Sequence, residues 1–337
     1  MNPFLRAAAT ALAVILMMTA ATAQPAANDT ELNAHIRKDV LTELATQLEA
    51  HYAIESTAKQ LARLVRSKQK SNAYKRIKTG PELARALTDD LAQIAHDKHL
   101  HVYYSSKPLT KNAPVFSQKE FFEHVRKHNG QVPKVEILDG NIGYIRVDGV
   151  PPRDVAGRAV AAAFAFVHET DALIIDNRGD GGGDPNTVAL YVSYLSEGPP
   201  HVINTFHIRD RNQVVEFEST DLGDLSYGAT KPVFVLTSNK TFSGGEELTY
   251  DLQVARRAVI VGEVTGGGAN PGGPISLGHQ FVVNMPNGQA VNPITGTSWE
   301  GKGVQPDVPV PAADALSKAQ SLAIDRLAAA GLPRDKQ

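Results

Sequence analysis

The sequence of 337 residues contains no cysteine. Disulfide bonds, thiol nucleophiles and cysteine-ligated metal sites are therefore excluded. Positive and negative charges nearly cancel, to a formal net charge of -2, so no general electrostatic attraction to nucleic acid or to an anionic membrane is expected. We expect no nucleic-acid partner, and any other partner must be predicted from local motifs.

Long hydrophobic runs are absent, with one exception at the N-terminus. An apolar run at residues 7–18 follows the single positive charge of Arg6, and the small residues 21–23 come shortly after it. This pattern is typical of a secretory signal peptide, residues 1–23, although an uncleaved anchor is the alternative. We expect an exported protein, periplasmic or secreted, with no stable membrane insertion after cleavage.

The remaining chain divides by its hydrophobic pattern. Residues 28–101 have helical periodicity, interrupted by the breaker Thr79-Gly80-Pro81, which predicts an N-terminal bundle of three helices. Residues 102–130 form a connecting segment with one short helix. In residues 131–337 strands alternate with helices, which predicts an α/β core with a partly parallel sheet.

Two apolar runs of this core are each followed by a motif that is a candidate for catalysis or binding. The predicted strand at 172–176 leads into a glycine cluster, and the predicted strand at 232–238 leads into Ser243 and a helix. Ligands of such sheets gather beyond the carboxyl ends of the strands. We therefore expect both motifs at one edge of the sheet.

Ser243 stands in the string TFSGGEE and allows two interpretations. Serine before a helix with Glu246 three positions later is typical of a capping box. Alternatively, the serine is a nucleophile held on a sharp turn, with the following amides free to face an oxyanion. The small neighbours Gly244 and Gly245 favour a close approach of substrate to the backbone, which capping alone does not require.

A nucleophilic serine needs a base, and histidine is the usual one. The string HDKHLH contains three candidates, of which His99 is the preferred base, while His96 and His101 are the others. A solvated surface cluster and a zinc site remain the alternatives for this string.

The glycine cluster DNRGDGGGD, residues 176–184, matches neither a dinucleotide-binding nor a phosphate-binding loop, and its acidic spacing does not suit calcium. It is either a structural strand-to-helix turn or the source of a second oxyanion donor. In the string WEGKG, Glu300 is either a surface turn acid or a carboxylate that orients a triad.

Together these strings resemble the tail-specific, or C-terminal processing, serine peptidases, in the branch of the tricorn core and the interphotoreceptor retinoid-binding protein. The blocks that carry the resemblance occur in the family's order: DKHLHVYYS, GNIGYIRV, DNRGDGGG, TSNKTFSGGEELTY, RRAVIVGEVTGGGANPG and NPITGTSWEGKGVQPDVPV.

The resemblance implies a crotonase-like αββ core with an N-terminal helical bundle. It implies that Ser243 is the nucleophile, that His99 is the general base and that Glu300 is the acid near them. The amides of Gly244 and Gly182 would form the oxyanion hole. No metal and no cofactor is implied, and the partner would be a peptide or protein substrate.

Two departures from the processing branch refine this expectation. The lysine base of that branch corresponds to Gly268 here, and residues 258–273 contain no lysine. The apolar runs 135–138 and 142–147 flank the turn Asp139-Gly140-Asn141, which predicts a hairpin. Only about 30 residues separate the helical bundle from this hairpin, so no PDZ domain fits between them. We expect a histidine base and a peptide cleft between bundle and core.

The predicted function is an exported serine peptidase that forms an acyl-enzyme on Ser243. One alternative is a non-catalytic carrier of an apolar ligand, retinoid-like or lipid-like, on the same fold. A further alternative is an envelope factor that sequesters or cleaves an antimicrobial peptide.

Overall fold

A computed structural model describes residues 32–105 and 117–331. The predicted signal peptide lies outside the described residues. The helices are α1 (Ala34–His51), α2 (Glu55–Lys70), α3 (Gly80–Ala95), α4 (Gln118–Lys127), α5 (Arg153–Val167), α6 (Pro185–Leu195), α7 (Gly244–Val254) and α8 (Ala315–Ala329). The strands are β1 (His101–Tyr104), β2 (Lys134–Leu138), β3 (Ile142–Arg146), β4 (Ala172–Asp176), β5 (Val202–Ile208), β6 (Gln213–Glu218), β7 (Val233–Thr237), β8 (Val259–Gly262), β9 (Gly272–Gly278), β10 (Phe281–Pro286), β11 (Gly288–Val291) and β12 (Val308–Pro309).

The central sheet has six strands in the order β12-β8-β7-β4-β3-β2. The five strands from β12 to β3 run parallel, and only β2 is antiparallel to its neighbour. Strands β4 and β7 pair directly, from Leu173 with Val233 to Asp176 with Leu236. The segments that follow these strands therefore leave the sheet side by side, which confirms that the glycine cluster and Ser243 share one edge.

Both faces of this sheet are covered, as a mostly parallel sheet requires. Along β4, Leu173 and Ile175 belong to the hydrophobic core shared with α5, α6 and α7, whereas Ala172 and Ile174 face α8. The alternation of side chains along the strand thus produces two cores. The expected α/β architecture is confirmed.

The N-terminal bundle also forms as predicted. The breaker becomes the start of α3, where Thr79 and Glu82 make a capping box and Pro81 lies in the first turn. Helices α1, α2 and α3 enclose a separate core that continues onto the antiparallel sheet β1-β10-β9 through residues such as Phe281 and Val283. None of the helices in the described parts of the chain is long and apolar enough to cross a membrane.

Strands β6, β9, β10 and β11 have no counterpart among the sequence predictions. Strand β9 has the sequence GGPISLG, which is rich in residues that disfavour strands. It forms because it pairs with β10 along its whole length and because Leu277 packs into the core of the bundle. Tertiary packing therefore overrides a weak local preference.

Candidate active site

Ser243 lies on the sharp turn between β7 and α7. Its backbone has φ 52° and ψ -120°, a left-handed conformation that is strained for a residue with a side chain. The side chain is half-buried at the first turn of α7, where the helix dipole favours negative charge. A strained serine held at a helix N-terminus is the geometry of an exposed nucleophile.

Glu246 holds the serine turn in place through buried hydrogen bonds. Its carboxylate is fully buried and accepts hydrogen bonds from Ser243 N (3.0 Å), Thr265 Oγ1 (2.5 Å), Gly267 N (2.6 Å) and Gly268 N (2.8 Å). The hydrogen bond that a capping box predicts, from the Ser243 amide to the Glu246 carboxylate, is therefore present. The same carboxylate also joins the serine turn to the segment 265–268, a link that a simple helix cap would not make.

The glycine cluster packs against the serine. A Cβ atom on Gly182 would lie 2.6 Å from Gly244 N and 2.7 Å from Ser243 Cβ, and one on Gly244 would lie 2.8 Å from Gly183 N. Only glycine permits this approach of the two backbones. The Gly182 amide donates to Asp180 Oδ1 at 2.7 Å, whereas the Gly183 amide has no acceptor among the described residues.

His99 lies in the turn between α3 and β1. Its amide donates to Asp97 Oδ1 at 2.9 Å, and Asn284 Nδ2 donates to its carbonyl at 2.8 Å. The ring is buried and packs against Phe242, with the ring centroids 4.7 Å apart. Because Phe242 immediately precedes Ser243, the histidine reaches the nucleophile turn from a different part of the chain.

Gly268 stands at the position that corresponds to the lysine base of the processing branch, and its surroundings are closely packed. A Cβ atom at this position would lie 2.3 Å from Phe242 Cζ and 2.8 Å from His99 Cε1. A longer side chain would therefore displace one or both rings. Position 268 of this structure therefore has no room for a lysine side chain while the two rings keep their places.

Burial lowers the pKa of His99 to about 4, although the nearby charge of Asp97 opposes the shift. The imidazole is thus neutral at neutral pH and able to accept a proton. Its Nδ1 is buried without a hydrogen-bond partner among the described residues and lies 3.9 Å from Asp97 Oδ1.

Glu300 lies close to His99, with a carboxylate oxygen within 4.8 Å of a ring nitrogen. Its Oε2 accepts from Ala269 N (2.5 Å) and Asn270 N (3.0 Å), and burial, followed by the charge of Asp97, raises its pKa to about 7. The neighbouring Trp299 donates its Nε1 proton to Gly268 O at 2.8 Å. Trp299 and Glu300 therefore hold residues 268–270 in place by hydrogen bonds, and Gly268 of this segment lies against the His99 ring.

Asp97, His99 and Glu300 each place one potential ligand atom within 4.8 Å of the others, the only such group in the described parts of the chain. Their nitrogen and oxygen donors are of the type that binds zinc. However, the ligand atoms of one tetrahedral zinc ion lie only about 3.5 Å apart, so the group would have to contract around a metal.

The sequence prediction did not assign a role to Asp97 or to two of its partners. Tyr52 Oη (3.3 Å) and Asn270 Nδ2 (2.9 Å) both donate to Asp97 Oδ2. An aspartate two residues before a histidine is a local turn signal, but no local signal identifies the tyrosine or the asparagine. Of the other candidate bases, His96 is exposed at the end of α3. His101 lies in β1 and touches the network, with its Nδ1 3.0 Å from the carbonyl oxygen of His99.

Comparisons with known proteins agree with this geometry. The model of peptidase family S41 matches residues 141–310, and that of the N-terminal domain of these peptidases in eukaryotic IRBP matches residues 27–136. The carboxy-terminal-processing protease of Bartonella bacilliformis is 28% identical over 180 residues, which make up 51% of this chain and 39% of that protein.

Solved structures share the fold at low identity. Mature CPAF superimposes with a TM-score of 0.59 and 13% identity over 87% of this chain and 96% of its own. The tricorn protease gives a TM-score of 0.54 and 15% identity over 87% of this chain and 37% of its own. Since the family model covers half of the sequence and the N-terminal model most of the rest, this protein belongs to peptidase family S41.

Proposed function

We propose that this protein is a serine peptidase that cleaves peptide or protein segments through an acyl-enzyme on Ser243. The observation that carries the proposal is the contact of the His99 ring with Phe242, because it brings a neutral buried imidazole beside the strained serine turn. The relative named as a carboxy-terminal-processing protease supports the substrate class. Peptide would bind between the bundle and the core, since the base and the nucleophile come from the two sides.

In the first step Ser243 Oγ attacks the scissile carbonyl carbon while His99 accepts the hydroxyl proton. The imidazolium then protonates the leaving amine, and water, activated by the same ring, hydrolyses the ester. Glu300 lies beside the base and would stabilise the imidazolium in its ionised form. A lysine base would have no room at position 268, because the rings of His99 and Phe242 occupy that space.

The oxyanion would be bound by backbone amides at the edge of the sheet. Gly244 N lies at the first position of α7, where amides have no intrahelical acceptor. Gly182 was the expected second donor, but its amide is engaged by Asp180. The free amide of Gly183, beside Gly244, is the better candidate.

The test is a digest of a peptide library by the purified mature protein, analysed by mass spectrometry. Ser243→Ala and His99→Ala should each lower turnover by at least about a thousandfold. His96→Ala is the matched control, because it removes an exposed imidazole three residues from the base, and it should leave turnover unchanged. Undiminished cleavage by Ser243→Ala would remove this residue from the mechanism.

A second measurement separates an enzyme from a carrier. A serine-reactive phosphonate should label Ser243 in the wild-type protein and not in Ser243→Ala. Binding of a retinoid or lipid without labelling, and with peptides recovered whole, would instead favour the carrier. Export is tested by N-terminal sequencing of the mature protein, which should begin at Gln24 after removal of residues 1–23.

A further inference from the structure

Asp180 is a buried acid that the proposed chemistry does not use. Its side chain has no exposed surface, and its Oδ1 accepts the Gly182 amide at 2.7 Å. Its own carbonyl accepts the Phe242 amide at 2.9 Å. A Cβ atom on Gly245 would lie 2.8 Å from Asp180 Cγ. One residue thus contacts the glycine cluster and both sides of the serine turn.

No basic side chain of the described residues neutralises this carboxyl group. Asp180 takes part in no ion pair of the described residues, and its Oδ2 is buried without a hydrogen-bond partner. Two basic side chains of the adjoining segments have other partners: Arg178 binds Asp176, and Arg146 binds Asp148. An ionised carboxylate here would be a buried charge without compensation, which is strongly unfavourable.

The elements packed around Asp180 also disfavour its ionised form. The loop after β3 contributes Asp148, whose negative charge raises the cost of ionisation. Helix α6 contributes Tyr191, a buried phenol whose own ionisation is opposed by Asp180. Helix α7 presents the backbone of Gly245. Only the amide of Gly182 favours the charged form.

We propose that Asp180 is a positioning residue, which as a neutral carboxylic acid holds the glycine cluster against the serine turn, and whose ionisation sets an alkaline limit to the activity. The alkaline limit rests on the proposed peptidase function. A charge at Asp180 would oppose the oxyanion that develops beside Gly244 and the glycine cluster, because both would be negative in a region of low dielectric.

The direction of the pH effect follows from burial, which raises the pKa of Asp180 to about 7. In the unfolded chain an aspartate has a pKa of about 3.9. Between these values the folded protein retains a proton that the unfolded chain releases, so this group makes the protein less stable as pH rises from about 4 to about 7. Above that range the loss is complete.

The first test compares the pH profile of kcat/KM for the wild-type protein and for Asp180→Asn. Asparagine keeps an oxygen for the Gly182 amide and cannot ionise. The wild-type activity should fall about tenfold per pH unit above the alkaline limit, and the variant should match it at pH 6 but lack this fall. Asp171→Asn is the matched control, because it removes a half-buried acid just before the opposite end of β4, away from the serine turn, and it should keep the wild-type profile. An unchanged alkaline fall in Asp180→Asn would overturn the alkaline limit.

The second test does not need activity. Thermal unfolding is followed from pH 4 to pH 8 for Ser243→Ala and for the same protein with Asp180→Asn added. The added substitution should have little effect on Tm at pH 4 and should raise Tm progressively up to about pH 7. A difference in Tm that stays constant across this pH range would contradict the proposal that Asp180 is neutral. If no peptide is cleaved by any variant, the proposed function and the alkaline limit fail, and the unfolding data still decide the protonation state.

Discussion

The serine turn and the histidine turn are built in opposite ways. Ser243 is held by neighbours in sequence, namely the end of β7, the start of α7 and Glu246 three residues later. The His99 amide has a local partner in Asp97, but the His99 carbonyl and ring are held by Asn284 on β10 and by Phe242, which lie far along the chain. The proposed nucleophile therefore belongs to a local motif, whereas the proposed base takes its position only in the folded protein.

Because of this difference, we expect the two turns to be sensitive to different kinds of substitution. The serine turn should respond most to the loss of its buried hydrogen bonds, because they fix a strained backbone. The histidine turn should respond most to changes in the packing that surrounds it. The following substitutions distinguish the two, in order of decreasing effect.

Glu246→Ala should have the largest effect, because it leaves four donors without their acceptor and releases the serine turn. We expect a loss of at least about 3 kcal/mol in the free energy of unfolding. Urea denaturation measures this change. Glu169→Ala removes an exposed glutamate and is the control, for which no more than about 0.5 kcal/mol is expected. Equal stability of the two variants would show that Glu246 does not fix the turn.

Gly268→Ala tests the packing of the base. The added methyl group overlaps the rings of His99 and Phe242, so we expect a loss of about 1–3 kcal/mol in stability and a larger loss in kcat. Gly273→Ala is the control, since a Cβ atom there meets no neighbour within 4 Å. If both variants keep full activity, the ring contact does not position the base.

The pH dependence of the base is the next contrast. Burial lowers the pKa of His99 to about 4, so protonation of this ring should reduce activity near pH 4 rather than near 6.5. Because the unfolded chain binds a proton that the folded protein excludes, the stability due to this group decreases as pH falls from about 6.5 to 4. NMR titration of the His99 ring in Ser243→Ala checks the pKa directly. A ring that titrates near 6.5 would contradict its burial.

Asn270→Ala should have the smallest effect of the three substitutions. It removes the bond from Asn270 Nδ2 to Asp97 Oδ2 and loosens the histidine turn, with an expected loss of about tenfold in kcat and little change in KM. Lys98→Ala is the matched control. It removes an exposed bond from the same turn to Gly266 O, which should change little. A rise in KM alone would indicate that Asn270 binds substrate instead.

The sequence predicted best where neighbouring residues decide the structure. The strand at 172–176, the hairpin of β2 and β3 and the start of α3 at Thr79 all occur as expected, because alternation, turn residues and caps act over a few positions. The sequence did not reveal β9, because its glycines and proline disfavour a strand until β10 and the bundle are present. Nor did it reveal that Asp97 joins Tyr52 to Asn270.

By itself, the sequence determined a serine on a strand-to-helix turn beside a glycine cluster, since each part is encoded by adjacent residues. Only the tertiary structure decided which histidine lies against that turn, how Gly268 leaves room for its ring and how Asp180 is enclosed. These features depend on contacts between elements far apart in the chain, and the burial that shifts the pKa values of His99 and Asp180 arises only when those elements pack together.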